Sequence, residues 1–307
     1  MRIIVMGTGG VGGYFGARLA NAGHDVTFIA RGKQLAAIRE GGLRLESPRG
    51  NLHLHDVKVT DKPAEAGIAD IVLFGVKLWD TASAAQAIKP VIGEQTAVVS
   101  FQNGVVKDDT LRQSLGDKHV IGGVCYIAAT IAEPGLIRHS GTMQKLVFGE
   151  YDGSSSARIM QFRDACTEAG IDVEVSANIQ RAIWEKFVFL VGLSGTTSTV
   201  RTPIGPIRAN ARSRAFLRAV MDEVVQVARA EGVALPADYA DDRLAFADQV
   251  PATMSSSMHN DLERGNRIEV QWLSGDVVAR GVRLGVPTPC NRAIFDILSV
   301  HAEGRPA

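Results

Sequence analysis

The sequence predicts an α/β protein: a doubly wound parallel sheet at the amino terminus, then a second, all-helical domain. Two observations carry that expectation. Runs at residues 3–6, 26–30, 71–76 and 97–101 are short, rich in Val and Ile, and apolar throughout or nearly so. Strands buried on both faces of a parallel sheet have that composition. They alternate with helical patterns, which winds helices over both faces of the sheet. From residue 178 onward the strand signals stop and helical periodicity takes over. At 307 residues the chain has room for two domains of roughly 150 residues each.

Taken in order, the strand at 3–6 leads through a glycine-rich turn into a helix over 14–22, stopped by Gly23 as a C-terminal cap. Residues 125–130 and 144–148 read as antiparallel strands around the turn Glu133-Pro134-Gly135. A loop at 151–157, a helix over 159–169 and a strand at 171–175 complete a first domain of residues 1–176. The second domain, 177–307, carries expected helices at 178–197, 211–231, 237–249, 257–281 and 291–302, and a frayed tail at 303–307.

Composition narrows the function. Lys plus Arg and Asp plus Glu are both 33, so net charge is zero and no basic stripe marks a nucleic-acid binder. Three scattered cysteines, Cys125, Cys166 and Cys290, form neither a disulfide framework nor a CxxC pair, and suit a reducing cytoplasm. The opening run Met1–Gly7 leaves no room for a signal peptide before a strand. The longest nearly apolar stretch, residues 120–132, falls short of the roughly 18 residues of a membrane span. His53 and His55 alternate on one strand face and read as a solvated edge, so no metal is expected. Cys125 and Cys166 read as small core hydrophobes.

Gly7-Thr8-Gly9-Gly10-Val11-Gly12 is a G-x-G-x-x-G motif between a strand and a helix, the context of a Rossmann-type dinucleotide site. The first glycine makes the turn, the second admits the pyrophosphate to the backbone, and the third packs helix on strand. The helix N-terminus offers N–H groups to the phosphates. Where an NAD enzyme carries an acid after the second strand, this chain has Arg31, with Lys33 nearby. A guanidinium suits a 2′-phosphate, which points to NADP(H). The plain alternative is a surface arginine at a loop. Lys77 and Asn103 follow the strands at 71–76 and 97–101, where ligands of such sheets collect. Each has an ordinary alternative, a solvated lysine and an Asn-Gly turn.

In the helical half, Lys186 lies inside the apolar stretch Trp184–Leu190, with Leu190 and Ser194 on its face at i+4 and i+8. A lysine in a low-dielectric setting has its pKa lowered, as a general acid near neutral pH requires. A snorkelling surface lysine gives the same pattern. Glu269 sits among Ile268, Val270, Trp272 and Leu273, on the helix expected to begin at Ser255–Ser257, either partly buried or exposed beside Arg267.

These residues together resemble the ketopantoate reductase (2-dehydropantoate 2-reductase) family over nearly the whole chain. The resemblance rests on the glycine loop with Arg31, Val76-Lys77, Phe101-Gln102-Asn103-Gly104, Gly122-Gly123-Val124 and Trp184-Glu185-Lys186. It continues through Ser256-Ser257-Met258, Glu269, Gly275 and Gly285–Asn291. It implies that NADPH passes a hydride to the C2 ketone of a 2-oxo acid and that Lys186 supplies the proton. It also implies that Glu269 orients the substrate, Ser257 binds its carboxylate, Asn103 lies near nicotinamide and substrate, and Lys77 helps hold both. The chain departs from the family pattern where asparagines are usual four and eight residues after the lysine: here these are Leu190 and Ser194, and Ser274 replaces a third. Losing donors that bind a substrate hydroxyl changes specificity. The leading expectation is reduction of ketopantoate in a cytoplasmic enzyme, with a small-molecule substrate and neither nucleic acid nor membrane as partner. The long helices of the second half offer a face for a homodimer. The alternatives are a paralogue reducing a less polar 2-oxo acid, and an NADPH-binding regulator without turnover.

Overall fold

The computed structural model describes residues 1–305. The chain divides into two compact units, one of Met1–Asn103 with Lys107–Ala182, the other of Gly104–Val106 with the chain from Ile183 onward. Among the described residues there are ten strands and twelve α-helices.

The first unit runs β1 (Arg2–Met6), α1 (Gly10–Asn21), β2 (Asp25–Ile29), α2 (Gly32–Gly41), β3 (Leu43–Glu46), β4 (Leu52–Leu54) and β5 (Lys58–Thr60). It continues with β6 (Ala69–Phe74), α3 (Thr81–Ala87), β7 (Ile92–Ser100), α4 (Val106–Leu115), β8 (Val120–Glu133), β9 (Leu136–Gly149), α5 (Ala157–Glu168) and β10 (Asp172–Val175). Six strands, in the order β5-β2-β1-β6-β7-β8, are mutually parallel. Chain order reverses at β1, and such a switch point is where doubly wound sheets bind ligands. The alternation of β1 feeds two cores: Ile3 and Val5 pack with Phe15 of α1 and Phe162 of α5, while Ile4 and Met6 pack with Ala85 of α3 and Leu111 of α4. Burial on both faces is why these strands read as continuous apolar runs.

The antiparallel pair expected at 125–130 and 144–148 is part of a far longer hairpin, β8 with β9. On β8 the inner half is buried and the outer half is largely exposed despite its apolar composition. The outer flank of β9 pairs in parallel with β3 at one end and β10 at the other.

The second unit is helical: α6 (Ile179–Val200), whose first residues belong to the first unit, then α7 (Ile204–Ala209), α8 (Ala211–Ala230), α9 (Tyr239–Gln249), α10 (Ser257–Arg264), α11 (Ser274–Leu284) and α12 (Pro289–Leu298). The single helix expected over 257–281 is two. Gly265, at φ +72°, takes the left-handed conformation; its own N–H donates to the Leu262 carbonyl and the Asn266 N–H to the Asp261 carbonyl. This glycine cap ends α10. The Ile268 N–H then donates to the Ala302 carbonyl, so the chain runs to its next turn along the carboxyl-terminal segment. Residues 303–305 are correspondingly anchored, not frayed: the Arg305 N–H donates to the Gly265 carbonyl and Arg267 pairs with Glu303 at 3.1 Å. Residues 306 and 307 lie outside the described residues.

A buried carboxylate ties two helices of this unit together, α8 and α12. Glu223 of α8 accepts from the N–H groups of Cys290 (2.7 Å) and Asn291 (2.9 Å) in the first turn of α12, and from Asn291 Nδ2 at 2.8 Å. Asn291 Nδ2 also donates to the Val220 carbonyl at 3.1 Å. Beside this carboxylate and partly buried, the Cys290 thiol is pushed up to about 11. Replacing Glu223 by alanine strands the uncapped N–H groups of α12. The expected loss is roughly 3 kcal/mol, read as a lower urea midpoint at unchanged slope.

Candidate active site

The glycine loop leaves β1 at the switch point. Gly7 lies at φ +100°, and a Cβ there would meet the Val76 backbone nitrogen at 2.8 Å. Gly12 has no room for a side chain because one would collide with the Gly7 carbonyl oxygen. Gly10 is excluded from side chains by the Ala129 carbonyl of β8, so its role is packing. Gly9 differs: a Cβ there meets nothing closer than the Gly75 carbonyl at 4.0 Å. The open face of the loop is therefore at Gly9, the N-cap of α1, and no side chain caps that helix. Open backbone in front of an uncapped helix start suits a phosphate. An apolar recess lined by Val11, Phe15, Gly75 and Phe101 sits beside the loop. These features fit a dinucleotide.

The loop is held from β2. The N–H groups of Gly7 and Thr8 and the Thr8 hydroxyl all donate to the Ile29 carbonyl, at 3.3, 3.2 and 3.0 Å. Gln34 of α2 donates to the Thr8 carbonyl at 3.1 Å and accepts from the Gly135 N–H at the hairpin turn at 3.0 Å. Arg31 follows β2 directly and is the N-cap residue of α2. It is exposed and donates to Asp80 at 3.1 Å.

Lys77 is exposed after β6, its ammonium 5.5 Å from the Trp79 ring centroid. Asn103 is half-buried after β7. Two residues that the sequence reading passed over hold these segments. Gln102 donates to the Val76 carbonyl and the Thr81 hydroxyl, each at 2.9 Å, and accepts from Ser100 Oγ at 2.9 Å. It thereby links the segment carrying Lys77 to the one carrying Asn103. Lys107 is 1% exposed. Its ammonium donates to the carbonyls of Ser100 (2.9 Å) and Gly123 (3.1 Å) and pairs with Asp108 at 3.0 Å. Asp108 also accepts from the Tyr151 hydroxyl at 2.6 Å, and Arg112 lies 3.6 Å above that ring. Burial and the Asp108 charge push the Tyr151 phenol far above its usual range, so it stays a donor. The only sequence signal for Lys107 was a lysine in a first helical turn, where cations are disfavoured.

In the second unit, Lys186 and Leu190 are half-buried on one face of α6, and Ser194, eight residues on, is 1% exposed. Glu269 is 8% exposed, at the N-cap of a short 3₁₀ turn, Val270–Trp272. Of the two readings for this carboxylate, the buried one holds. Ser256, not Ser257, caps α10, accepting from the His259 N–H at 3.0 Å. Ser257 is exposed in the first turn.

Comparison with known proteins bears on this arrangement. The family model described as "Ketopantoate reductase PanE/ApbA" matches residues 3–153, and "Ketopantoate reductase PanE/ApbA C terminal" matches residues 178–302. The chain belongs to the ketopantoate reductase family. Among its relatives, the 2-dehydropantoate 2-reductase of Halobacterium salinarum is 32% identical, with 97% of this chain and 98% of that protein aligned. The "Uncharacterized oxidoreductase YkpB" of Bacillus subtilis is 30% identical, over 98% and 99% of the two chains. The crystal structure of a PanE/ApbA family ketopantoate reductase from Ralstonia eutropha JMP134 superposes with a TM-score of 0.90 at 37% identity, covering 98% of both chains.

This family member is an oxidoreductase, with a mixed α/β amino-terminal domain and a helical carboxyl-terminal region as in the solved ketopantoate reductases. Its departures from the family pattern have a structural correlate. On α6, Thr196, Thr197 and Thr199 each donate to the carbonyl four residues back. The buried hydroxyls of Ser194 and Ser198, and that of Ser274 in α11, have no hydrogen-bond partner among the described residues. A buried hydroxyl without a partner is costly, and water or a ligand is the usual remedy.

The loop geometry separates two glycine substitutions. Gly12→Ala should lower the melting temperature, because the helix must move off the strand. Gly9→Ala should melt within about a degree of the parent yet weaken dinucleotide binding at least tenfold, read by calorimetric titration. Equal melting losses in the two variants would contradict this assignment of roles.

Proposed function

We propose that the protein is an NADPH-dependent 2-oxo acid reductase that converts 2-dehydropantoate to pantoate. Residues 1–176 hold the cofactor through Gly7–Gly12, Arg31, Lys77 and Asn103, and residues 177–307 supply the substrate groups. The observation that carries this reading is the retention of both Lys186 and Glu269, the latter buried on a rigid turn. A bound NADPH supplies the hydride to the C2 carbonyl carbon. The electron pair of the C=O bond moves to oxygen, and the Lys186 ammonium gives that oxygen its proton. Before transfer the same ammonium stabilises the growing negative charge. Glu269 accepts from the substrate hydroxyl, and the exposed Ser257 hydroxyl donates to its carboxylate. Asn103 presents an amide on the segment that Gln102 and Lys107 hold in place.

A second reading has its own support. Leu190 and the unpartnered Ser194 leave the Lys186 face of α6 poorer in amide donors than the family pattern. That favours a less polar 2-oxo acid with the same chemistry.

The test is NADPH consumption, followed by absorbance, with ketopantoate beside branched and aromatic 2-oxo acids. Selective turnover of ketopantoate supports the first reading. Turnover of another 2-oxo acid alone supports the second. Tight NADPH binding without turnover of any would make the protein a regulator. Lys186→Ala should cut kcat by about a thousandfold while leaving the NADPH dissociation constant within twofold. Near-normal turnover would remove Lys186 as the proton donor.

A further inference from the structure

We propose that Asp80 sets the cofactor preference of this site: it engages Arg31 in competition with a 2′-phosphate and lets the protein accept NADH as well as NADPH. The inference rests on the reading of Arg31 as the residue that faces the adenosine ribose.

In dinucleotide-binding sheets an acid after the second strand takes the ribose 2′-hydroxyl, or an arginine there accommodates the 2′-phosphate. This chain has both groups, from different places. Arg31 follows β2, while the acid arrives from beyond β6, on the opposite side of β1. Arg31 Nη2 donates to Asp80 Oδ2 at 3.1 Å. The carboxylate therefore lies within hydrogen-bond reach of the guanidinium that would bind the phosphate.

A second observation is that this carboxylate makes no bond to its own helix. Asp80 ends a 3₁₀ turn that runs straight into α3 and has helical φ and ψ of −92° and −4°, not the extended backbone of a capping aspartate. The Ser83 hydroxyl donates to its backbone carbonyl, and its carboxylate turns to Arg31. The pair is also within reach of a ligand, with side-chain exposures of 72% for Arg31 and 32% for Asp80.

The consequence is a balance of charges. An exposed ion pair is weak, so a 2′-phosphate can draw Arg31 away from Asp80 at little cost. The carboxylate then remains beside a group of nearly two negative charges, and like charges at that range repel. A free ribose meets no such penalty: its 2′-hydroxyl can donate to Asp80 while Arg31 stays paired. Asp80 thus offsets part of the phosphate preference that Arg31 provides.

The test is calorimetric titration of the full-length protein with NADPH, NADH, adenosine 2′,5′-bisphosphate and AMP. The wild type should bind NADPH and NADH within about tenfold of each other. Asp80→Asn should tighten NADPH and the bisphosphate by roughly tenfold and weaken NADH a few-fold. Asp80→Ser, which removes the charge but keeps a small polar side chain, should shift the preference in the same direction. An unchanged NADPH-to-NADH ratio in both variants, or weaker NADPH binding, overturns the inference while leaving the reductase reading in place. Failure of the wild type to bind either dinucleotide overturns both.

Discussion

Helix α1 begins close behind β1 because glycines stand where it meets the loop and the sheet. Gly12 faces the carbonyl of Gly7, Gly10 faces the carbonyl of Ala129 on β8, and Gly16 faces the ring of Phe28 on β2. Any Cβ at these places would push the helix off the sheet. The contact holds the loop of residues 7–9 against the ends of β1 and β2, where the Ile29 carbonyl takes three hydrogen bonds from it. An anion site made of backbone N–H groups works only if the backbone is already in place, since ordering it on binding costs affinity. The glycines therefore serve the site chiefly by packing, and Gly9 alone leaves open the space a phosphate would enter.

How much of this was legible in the sequence follows from where each signal comes from. The strands β1, β2, β6 and β7 were readable because both their faces are buried, and the glycine motif because it lies between a strand and a helix. The strands β3, β4 and β5 have only three or four residues each, too few for their alternation to stand out as strands. The break at Gly265 was hidden because composition on both sides favours helix; only the glycine and the tail contacts decide it. Gln34, Gln102 and Lys107 were invisible for another reason. Each is a polar residue whose value lies in carbonyls distant along the chain, and no local spacing records such partners.

Those three residues share a physical role. Segments after strands carry the candidate ligand residues, and such segments are ordinarily the mobile part of a sheet protein. Gln102 spans from the segment after β7 to the one after β6, Gln34 from the glycine loop to the hairpin turn, and Lys107 from the end of β7 to β8. Burying the Lys107 ammonium is costly unless it is fully bonded. Two carbonyls and the Asp108 carboxylate meet that demand, and Tyr151 in turn holds Asp108. The charge network makes the segment that carries Asn103 part of the rigid scaffold.

On the proposed reading, helix α6 separates chemistry from selection. Lys186 supplies the proton, and that demand is the same for every 2-oxo acid. Selection falls to the next turns of the same face, where Leu190 and Ser194 stand. A site that hydrogen-bonds a substrate hydroxyl can reject analogues lacking it by about four orders of magnitude, whereas apolar packing discriminates by roughly two at most. Leu190 brings no donor, and Ser194 offers one buried hydroxyl that has no partner among the described residues. The threonines around it return their hydroxyls to the helix backbone, so the helix can absorb such groups, and Ser194 is not absorbed. Discrimination on this face then rests on the fit of an apolar surface and on one polar contact. That combination sorts 2-oxo acids by the size of their side chains more sharply than by their hydroxyls.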